Sequence, residues 1–394
     1  MFEIRRITTE EMDDAIKLSE YSFKYKLKDE EREKKTSFME DHIIFGVFDD
    51  QEMIAKTHVI PLYVLINNKE HTMGGIASVS TYPEYRRKGI VNRLINLSIE
   101  TMKEEGHILS YLHPFDINFY RKYGYELISN LKKTTILNKD LSYYKGIEGK
   151  VERKKGLDGL STVNEIYTKY ITKYNGMLIR SEKWWRDNQY DGEHIPAIYY
   201  NEDNEPKGYL FYKIIENKME VKEYIYLDED SRRGLWNFIA NHDSMIEEVE
   251  VITADDEQMA FLFNNPAAKI QLVPYFMARI VLVKEFLERY IDFSRLDREL
   301  VLGLKDQWAT WNNGIYTISS NGVSFESVNK EALEDQLHKS KALYMDINTL
   351  TVIALGFQKP DFMYECRKIS GDTNTLELLK SLLSKKYCSY LDYF

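Results

Sequence analysis

The chain has 394 residues, of which 43% are hydrophobic and 13% aromatic, and its formal net charge at pH 7 is −10. This length predicts roughly two to three domains with packed cores. The acidic balance argues against a nucleic-acid partner and mildly favours a cationic substrate, while ordinary solubility is the stronger explanation of this charge. The two cysteines lack metal or disulfide spacing, no apolar run is long enough to cross a membrane, and the N-terminus is too charged for a signal peptide. We therefore expect a cytoplasmic protein without a metal site, a nucleic-acid partner or a membrane partner.

Residues 1–142 have the pattern of one mixed α/β domain. Apolar residues at helical spacing predict a helix at residues 89–105, and a short apolar run predicts a strand at 107–112. Residues 142–156 are polar and contain three glycines, which predicts a linker. The elements predicted before the helix are a strand at 2–7, a helix at 10–23, a charged surface run at 29–35, antiparallel strands at 43–49 and 52–65, and a strand at 74–80.

A basic turn, residues 86–89 (Arg-Arg-Lys-Gly), joins the strand at 74–80 to the helix at 89–105. The first amides of a helix have no partner within the helix, and the helix dipole favours an anion beside them. Gly89 would allow the backbone to approach such an anion closely. The basic turn therefore predicts a pyrophosphate-binding site. The alternative is a surface turn of solvated cations that caps a core helix.

The basic turn and the segment after it resemble the GCN5-related N-acetyltransferases (GNAT). The family pattern R/Q-x-x-G-x-G/A is matched from Arg86 onward, except that Val91 stands at its last position, and residues 118–125 resemble the family's F-Y-x-x-x-G-F/Y helix. The resemblance implies acetyl-CoA as co-substrate. The coenzyme contacts that it implies are Val79, Ser80, Thr81, Arg87, Lys88, Gly89, Ile90, Val91, Asn92, Phe115 and Asp116.

Two further modules follow the linker. Residues 150–289 repeat the mixed order of helices and strands, and residues 231–236 stand where a second phosphate-binding turn would be expected. Because residues 228–230 are all acidic, their carboxylates would repel a pyrophosphate, so we expect a degenerate GNAT fold that does not bind coenzyme A. Residues 290–394 contain hairpin signals at Asn313-Gly314 and Asn321-Gly322 and resemble a sterol-carrier-type α+β module, in which a lipid pocket is one interpretation.

This domain order resembles the Eis (enhanced intracellular survival) family of aminoglycoside N-acetyltransferases. The resemblance spans essentially the whole chain and rests on residues 119–125, 180–185 and 346–350 and on the terminal Phe394. It implies a mixed α/β (α+β) fold, a homohexamer, and acetyl transfer to several amines of an aminoglycoside or a similar small cationic polyamine. A protein-lysine N-acetyltransferase is the alternative. A lipid-binding or scaffold protein with a vestigial GNAT domain is the alternative of another class.

The resemblance also assigns the catalytic groups: the carboxylate of Phe394 as general base and the hydroxyl of Tyr120 as general acid. An amine must lose a proton before it attacks a thioester, and the departing thiolate leaves more easily when a donor neutralises it. Core packing is the alternative role for Tyr120, and a docked tail without chemistry is the alternative for Phe394. His113 is a second candidate base. Acidic residues of the first helix and Asp392 are candidates to line a substrate groove.

Overall fold

The computed structural model describes residues 2–328 and 342–394 and divides the chain into two compact units. The first unit comprises Met1–Ile128, Phe276–Tyr387 and Phe394, and the second comprises Ser129–Tyr275 and Cys388–Tyr393. The predicted boundaries at residues 142, 150 and 289 do not coincide with these limits. Phe276–Tyr387 and Phe394 lie in one unit with the N-terminal segment, whereas the sequence predicted three consecutive domains.

The N-terminal segment forms a mixed sheet with helices. Its elements are β1 (Glu3–Arg6), α1 (Met12–Phe23), α2 (Asp29–Met39), β2 (Ile43–Asp49), β3 (Glu52–Ile66), β4 (Lys69–Thr81), α3 (Ile90–Glu104), β5 (Leu109–Leu112), α4 (Ile117–Arg121) and β6 (Glu126–Leu127). The strands follow the order β1-β2-β3-β4-β5-β15-β6, where β15 is Met277–Ile280. The residues of β15, predicted within the second module, therefore complete the sheet of the first unit.

The predicted helix at 89–105 is confirmed as α3, and its apolar stripe is the reason it forms. Ile95, Ile99 and Met102 pack in one core cluster with Val59 of β3 and Ile76 of β4. Burying side chains of this size contributes about 1.5–3 kcal/mol each relative to leaving them exposed. This packing holds α3 against β3 and β4.

The second unit is built around a separate sheet. Its elements are β7 (Asn130–Leu137), β8 (Lys150–Arg153), α5 (Leu160–Tyr170), β9 (Met177–Leu178), α6 (Glu182–Trp184), β10 (Ile195–Tyr200), β11 (Pro206–Ile215), β12 (Lys218–Tyr226), α7 (Glu229–Ala240), β13 (Glu248–Ala254) and β14 (Lys269–Pro274), and the sheet order is β14-β7-β13-β12-β11-β10-β8. The residues of β7 were predicted within the first domain, but β7 pairs with β13 and β14 of the second unit. β8 lies in the second module as predicted and pairs with β10, although its residues also overlap the predicted linker at 142–156.

Residues 231–236 do not form a turn. They lie inside α7, which begins at Glu229, and Asp228 caps the helix by accepting a hydrogen bond from the Ser231 amide at 2.8 Å. A Cβ on Gly234 would collide with the ring of Tyr199, so this glycine serves helix–strand packing. The helix thus carries its own carboxylate where an anion would otherwise bind.

The rest of the first unit follows β15. Its elements are α8 (Val283–Tyr290), β16 (Leu300–Lys305), β17 (Gly314–Ser319), β18 (Gly322–Ser327), β19 (Leu343–Asp346), α9 (Ile347–Leu355), α10 (Pro360–Glu365), β20 (Ile369–Gly371) and α11 (Thr373–Leu382), with sheet order β18-β17-β16-β19-β20. The hairpin predicted at Asn321-Gly322 joins β17 to β18. At the other hairpin signal, a short 3-10 helix at Thr310–Asn312 leads directly into β17. None of the helices in the described ranges is long and apolar enough to span a membrane.

Candidate active site

The end of β4 is the centre of the candidate site. The parallel register between β4 and β5 runs only from Met73 opposite Leu109 to Ile76 opposite Leu112. The two strands therefore diverge, and beyond Ile76 the β4 residues Ala77, Ser80 and Thr81 pair with β3 alone. An unpaired strand edge presents amide and carbonyl groups that an elongated ligand can bind. Val79, Ser80 and Thr81, the first predicted coenzyme contacts, lie on this edge.

The basic turn follows this edge and leads into α3. Arg87 and Gly89 both have positive φ, 61° and 74°, so the backbone turns back on itself at these two residues. The first helical hydrogen bond at this end runs from the Arg93 amide to the Gly89 carbonyl at 3.2 Å. The amides of residues 90–92 therefore point out of the helix start, where the dipole favours an anion.

The basic turn is open to a ligand. A Cβ placed on Gly89 would meet no atom within 4 Å, and residues 86–89 are all exposed. Within the described part of the chain, Arg86, Arg87 and Lys88 form no ion pair, although the Lys88 ammonium lies 4.7 Å from the centroid of the Tyr85 ring. The side-chain oxygen of Asn92 is buried without a described partner. The residues present fit the diphosphate of coenzyme A.

Tyr120 belongs to an aromatic cluster on the short helix α4. Its ring centroid lies 5.4 Å from that of Phe115 and 6.2 Å from that of Tyr125, and its side chain is only 3% exposed. Burial raises the pKa of Tyr120 and raises that of Tyr125 to about 12, so both hydroxyls stay protonated near neutral pH. Asp116 caps α4 by accepting a hydrogen bond from the Phe119 amide at 2.8 Å. Phe115, a predicted coenzyme contact, is 73% exposed beside Tyr120.

Phe394 packs on β4 inside the first unit. A Cβ on Gly75 would lie 2.7 Å from the Phe394 ring, so a glycine is required for this contact. The ring also makes an edge contact with Phe276 at 5.0 Å, and Phe276 lies 5.7 Å from the exposed His113. The ring of the terminal residue thus packs on β4, the strand that also carries Val79.

Named contacts connect the Phe394 position to the Tyr120 cluster. The Ser110 hydroxyl lies on β5 and donates to the Gly74 carbonyl at 2.9 Å. It also shares a hydrogen bond of 2.7 Å with the Tyr125 hydroxyl. Gly74 and Gly75 face opposite sides of β4, toward Met102 and Phe394 respectively, so these contacts connect the Tyr120 cluster and Phe394 to one strand of the first unit.

Of the acidic residues predicted to line a substrate groove, Asp392 is buried, whereas Asp13 and Asp14 of the first helix are exposed. Asp392 is 1% exposed in the second unit, where its carboxylate accepts a hydrogen bond from Arg180 Nε at 2.8 Å. Its prediction as a groove residue is wrong, because a carboxylate enclosed by donors cannot face a substrate. In the first helix, Asp13 and Asp14 both pair with Lys17, at 2.9 and 3.0 Å.

Two features of this site escaped the sequence analysis. Gly74-Gly75 interrupts an apolar strand, and glycine inside a strand is a signal of close approach by another group. Lys56 lies fully buried on β3 beside Ser78, and nothing in its local sequence indicates burial. Only the pairing of β3 with β4 brings these residues together.

Three families match successive parts of the chain. An Acetyltransferase (GNAT) domain matches residues 3–128, a second Acetyltransferase (GNAT) domain matches residues 176–280, and a Sterol carrier protein domain matches residues 283–390. The chain is therefore a mixed α/β protein with tandem GNAT domains and a sterol-carrier-like domain. The predicted fold class is confirmed.

Curated relatives include N-acetyltransferases of actinobacteria. An uncharacterized N-acetyltransferase of Streptomyces avermitilis is 22% identical over 385 residues, which cover 90% of this chain and 89% of that protein. An uncharacterized N-acetyltransferase of Streptomyces griseus is 20% identical over 217 residues, 49% of this chain and 52% of that protein. The N-acetyltransferase Eis of Mycobacterium tuberculosis is 20% identical over 206 residues, 48% and 50% respectively. The chain thus spans about half the length of the latter two relatives.

Solved structures with this fold cover the whole chain. A probable N-acyltransferase of Enterococcus faecalis is 27% identical, with a TM-score of 0.91 and complete coverage of both chains. Eis1 of Mycobacterium abscessus, 16% identical with a TM-score of 0.79 and complete coverage of both chains, shares the fold. The domains and relatives together support an acetyl-transferring enzyme of the GNAT type with tandem GNAT domains, weakly related to the Eis N-acetyltransferases.

Proposed function

We propose that this protein transfers the acetyl group of acetyl-CoA to amines of an aminoglycoside or a similar polyamine. The observation that carries the proposal is the open end of β4. It leads into a helix start that suits an anion, Phe394 packs on the same strand at Gly75, and Tyr120 lies in the same unit. An acetyl donor with a diphosphate and an amine acceptor are the substrates that this combination suits.

The coenzyme would be held mainly by backbone groups. Residues 79–81 offer the unpaired edge of β4, and residues 87–92 offer the amides of the basic turn and the start of α3. Arg87 and Lys88 add positive charge near the phosphates. Phe115 and Asp116 would contact the coenzyme near its reactive end. Acetyl-CoA supplies the activated acetyl group as a thioester.

The chain's own residues would move the protons. The carboxylate of Phe394 would accept a proton from the amine, directly or through one water, and packing of its ring on Gly75 restrains that carboxylate. The Tyr120 hydroxyl would donate a proton to the departing sulfur. Because burial raises the pKa of Tyr120, the proton to be donated is present across the neutral range.

The net charge of −10 and the resemblance to Eis support a cationic polyamine as acceptor. We propose that the chain assembles with five further copies of itself as a homohexamer. This homohexamer rests on the resemblance alone, and light scattering at micromolar concentration tests it.

The decisive experiment compares acceptors with one purified protein. Acetyl transfer is followed by intact mass against a panel of aminoglycosides and a matched panel of lysine peptides, while calorimetry measures coenzyme A binding. We expect coenzyme binding and several acetyl groups on one aminoglycoside. Acetylation of the peptides alone would identify a protein-lysine acetyltransferase. Absence of coenzyme binding would favour the lipid-binding or scaffold alternative.

A further inference from the structure

Lys56 is a lysine buried without a counter-ion on β3. Its side-chain nitrogen donates to the Ser78 hydroxyl at 2.6 Å and to the Ser78 carbonyl at 3.3 Å, and it lies 2.9 Å from Nε2 of His58. The residue is 0% exposed, and no carboxylate of the described residues pairs with it. Leaving a charged ammonium in such a place is costly, so the site favours the neutral amine.

The neighbours of Lys56 satisfy a neutral amine completely. When His58 carries its proton on Nε2, two N–H groups of Lys56 donate to Ser78 and its lone pair accepts from His58. Nδ1 of His58 then accepts from Nδ1–H of His42, 3.3 Å away. In this arrangement the side-chain nitrogens of Lys56 and His58 all have hydrogen-bond partners, and none of them carries a positive charge.

The electrostatic surroundings of Lys56 also favour its neutral amine. Burial first, and then the charge of Lys35 on α2, lower the pKa of Lys56 well below its ordinary value. Burial, Lys56, His42 and Lys35 lower that of His58. Among the described residues, the groups that lower these two pKa values are therefore all cationic when protonated.

The partner of Lys56 is the bulge of β4. Lys56 pairs with Ser80 and His58 with Ala77, so Ser78 and Val79 together oppose the single residue Thr57. Ser78 has a φ of 54°, which is unfavourable for a residue with a side chain by about 1–3 kcal/mol and persists only where neighbours hold it. Lys56 binds both polar groups of Ser78, and the Ser78 hydroxyl also lies 3.1 Å from that of Ser19 on α1.

The bulge determines how the open edge of β4 is presented. One inserted residue shifts which backbone groups face outward from that point on. Residues 79–81, which follow the bulge immediately, are the proposed coenzyme edge. Any relaxation of Ser78 would therefore displace these groups.

We propose that neutral Lys56 is a positioning residue that holds the β4 bulge at Ser78 and thereby presents residues 79–81 to acetyl-CoA. The inference rests on the proposed function. The inference extends the proposed function, because Lys56 would affect coenzyme affinity although it is buried and cannot touch the coenzyme.

The test is calorimetric titration of the full-length protein with acetyl-CoA. We expect Lys56→Met to weaken binding about tenfold or more, the equivalent of one lost hydrogen bond. Lys35→Met is the matched control on the neighbouring helix, and its Kd should stay at the wild-type value at neutral pH.

Rescue separates positioning from mere stability. Glycine adopts positive φ without strain, so Ser78→Gly added to Lys56→Met should restore most of the affinity. A Lys56→Met protein that binds as tightly as the wild type, or a double variant that folds but still binds weakly, overturns the inference. A double variant that does not fold also overturns it, because Lys56 would then be a general core stabiliser. Failure of the wild type itself to bind acetyl-CoA would instead refute the proposed function.

Discussion

The buried carboxylate of Asp392 anchors the C-terminal segment of the second unit, and its replacement gives a sharp test of the structure. Arg180 Nε and Trp184 Nε1 donate to it at 2.8 Å, and Gln189 Nε2 donates at 2.9 Å. Arg180 also pairs with Glu223 at 2.6 Å. Residues 180–185, which the resemblance to Eis singled out, therefore supply two of the donors that hold this carboxylate.

Two substitutions of Asp392 should lower the free energy of unfolding by very different amounts. Asp392→Ala leaves three buried donors unpaired, and breaking a buried charge pair in this way costs about 3–5 kcal/mol. Asp392→Asn keeps Oδ1 for the same donors, and its new amide faces the Tyr167 hydroxyl, which donates to the Leu178 carbonyl and can still accept. Since Glu223 still neutralises Arg180, we expect Asp392→Asn to cost only about 1–2 kcal/mol.

The assay is urea unfolding followed by tryptophan fluorescence, with Glu182→Ala as the control. Glu182 forms an exposed pair with Arg186 on the same segment, so its loss should cost less than about 1 kcal/mol. Equal costs for Asp392→Asn and Asp392→Ala would refute the account of retained hydrogen bonds. An unchanged free energy of unfolding in Asp392→Ala would show that the hydrogen bonds of the Asp392 carboxylate do not stabilise the fold.

The pH dependence provides a second readout of the same site. Burial raises the pKa of Asp392 despite its hydrogen bonds from Arg180 and Trp184. The folded protein then holds a proton that the unfolded chain releases near pH ~3.9. The free energy of unfolding should therefore fall as the pH rises from about 3.9 through the raised pKa. Asp392→Asn should lack this contribution.

Three predictions concern the candidate active site. Tyr120→Phe should lower kcat by roughly 10²-fold or more and leave coenzyme affinity unchanged. Tyr123→Phe removes a buried hydroxyl without a described partner and should affect kcat little. Equal effects of the two substitutions in stopped-flow assays would make Tyr120 a packing residue. Gly89→Val should weaken acetyl-CoA binding in calorimetry, because φ is 74° there, and unchanged affinity would refute the phosphate site. Gly75→Ala should displace the Phe394 ring and lower kcat more than coenzyme affinity; wild-type kinetics would contradict that packing.

Local patterns in the sequence were sufficient for several elements. The apolar stripe of α3 and the glycine of the basic turn depend on residues a few positions apart, and both are observed where expected. The hairpin between β17 and β18 is likewise set by a short turn signal. Such features follow from helical periodicity and turn chemistry alone.

Features that depend on distant pairing could not be predicted in this way. β15 completes the first sheet by pairing with β5, although more than 160 residues separate Leu112 from Met277. Arg279 is 0% exposed because it pairs with Asp306, and composition would place an arginine at the surface. Asp392 was misplaced for the same reason, since its partner Arg180 lies 212 positions away.

The central claim is that the carboxylate of Phe394 serves as the base of acetyl transfer. The most direct measurement is the single-turnover acetylation rate of a semisynthetic protein whose C-terminus is an amide, compared with the same protein ligated with a free carboxylate. The amide keeps the aromatic ring on Gly75 and removes only the charge and the base. We predict normal acetyl-CoA binding and a large loss of the acetylation rate. A folded amide that binds acetyl-CoA normally and acetylates at the wild-type rate would contradict the claim and make His113 the better candidate base.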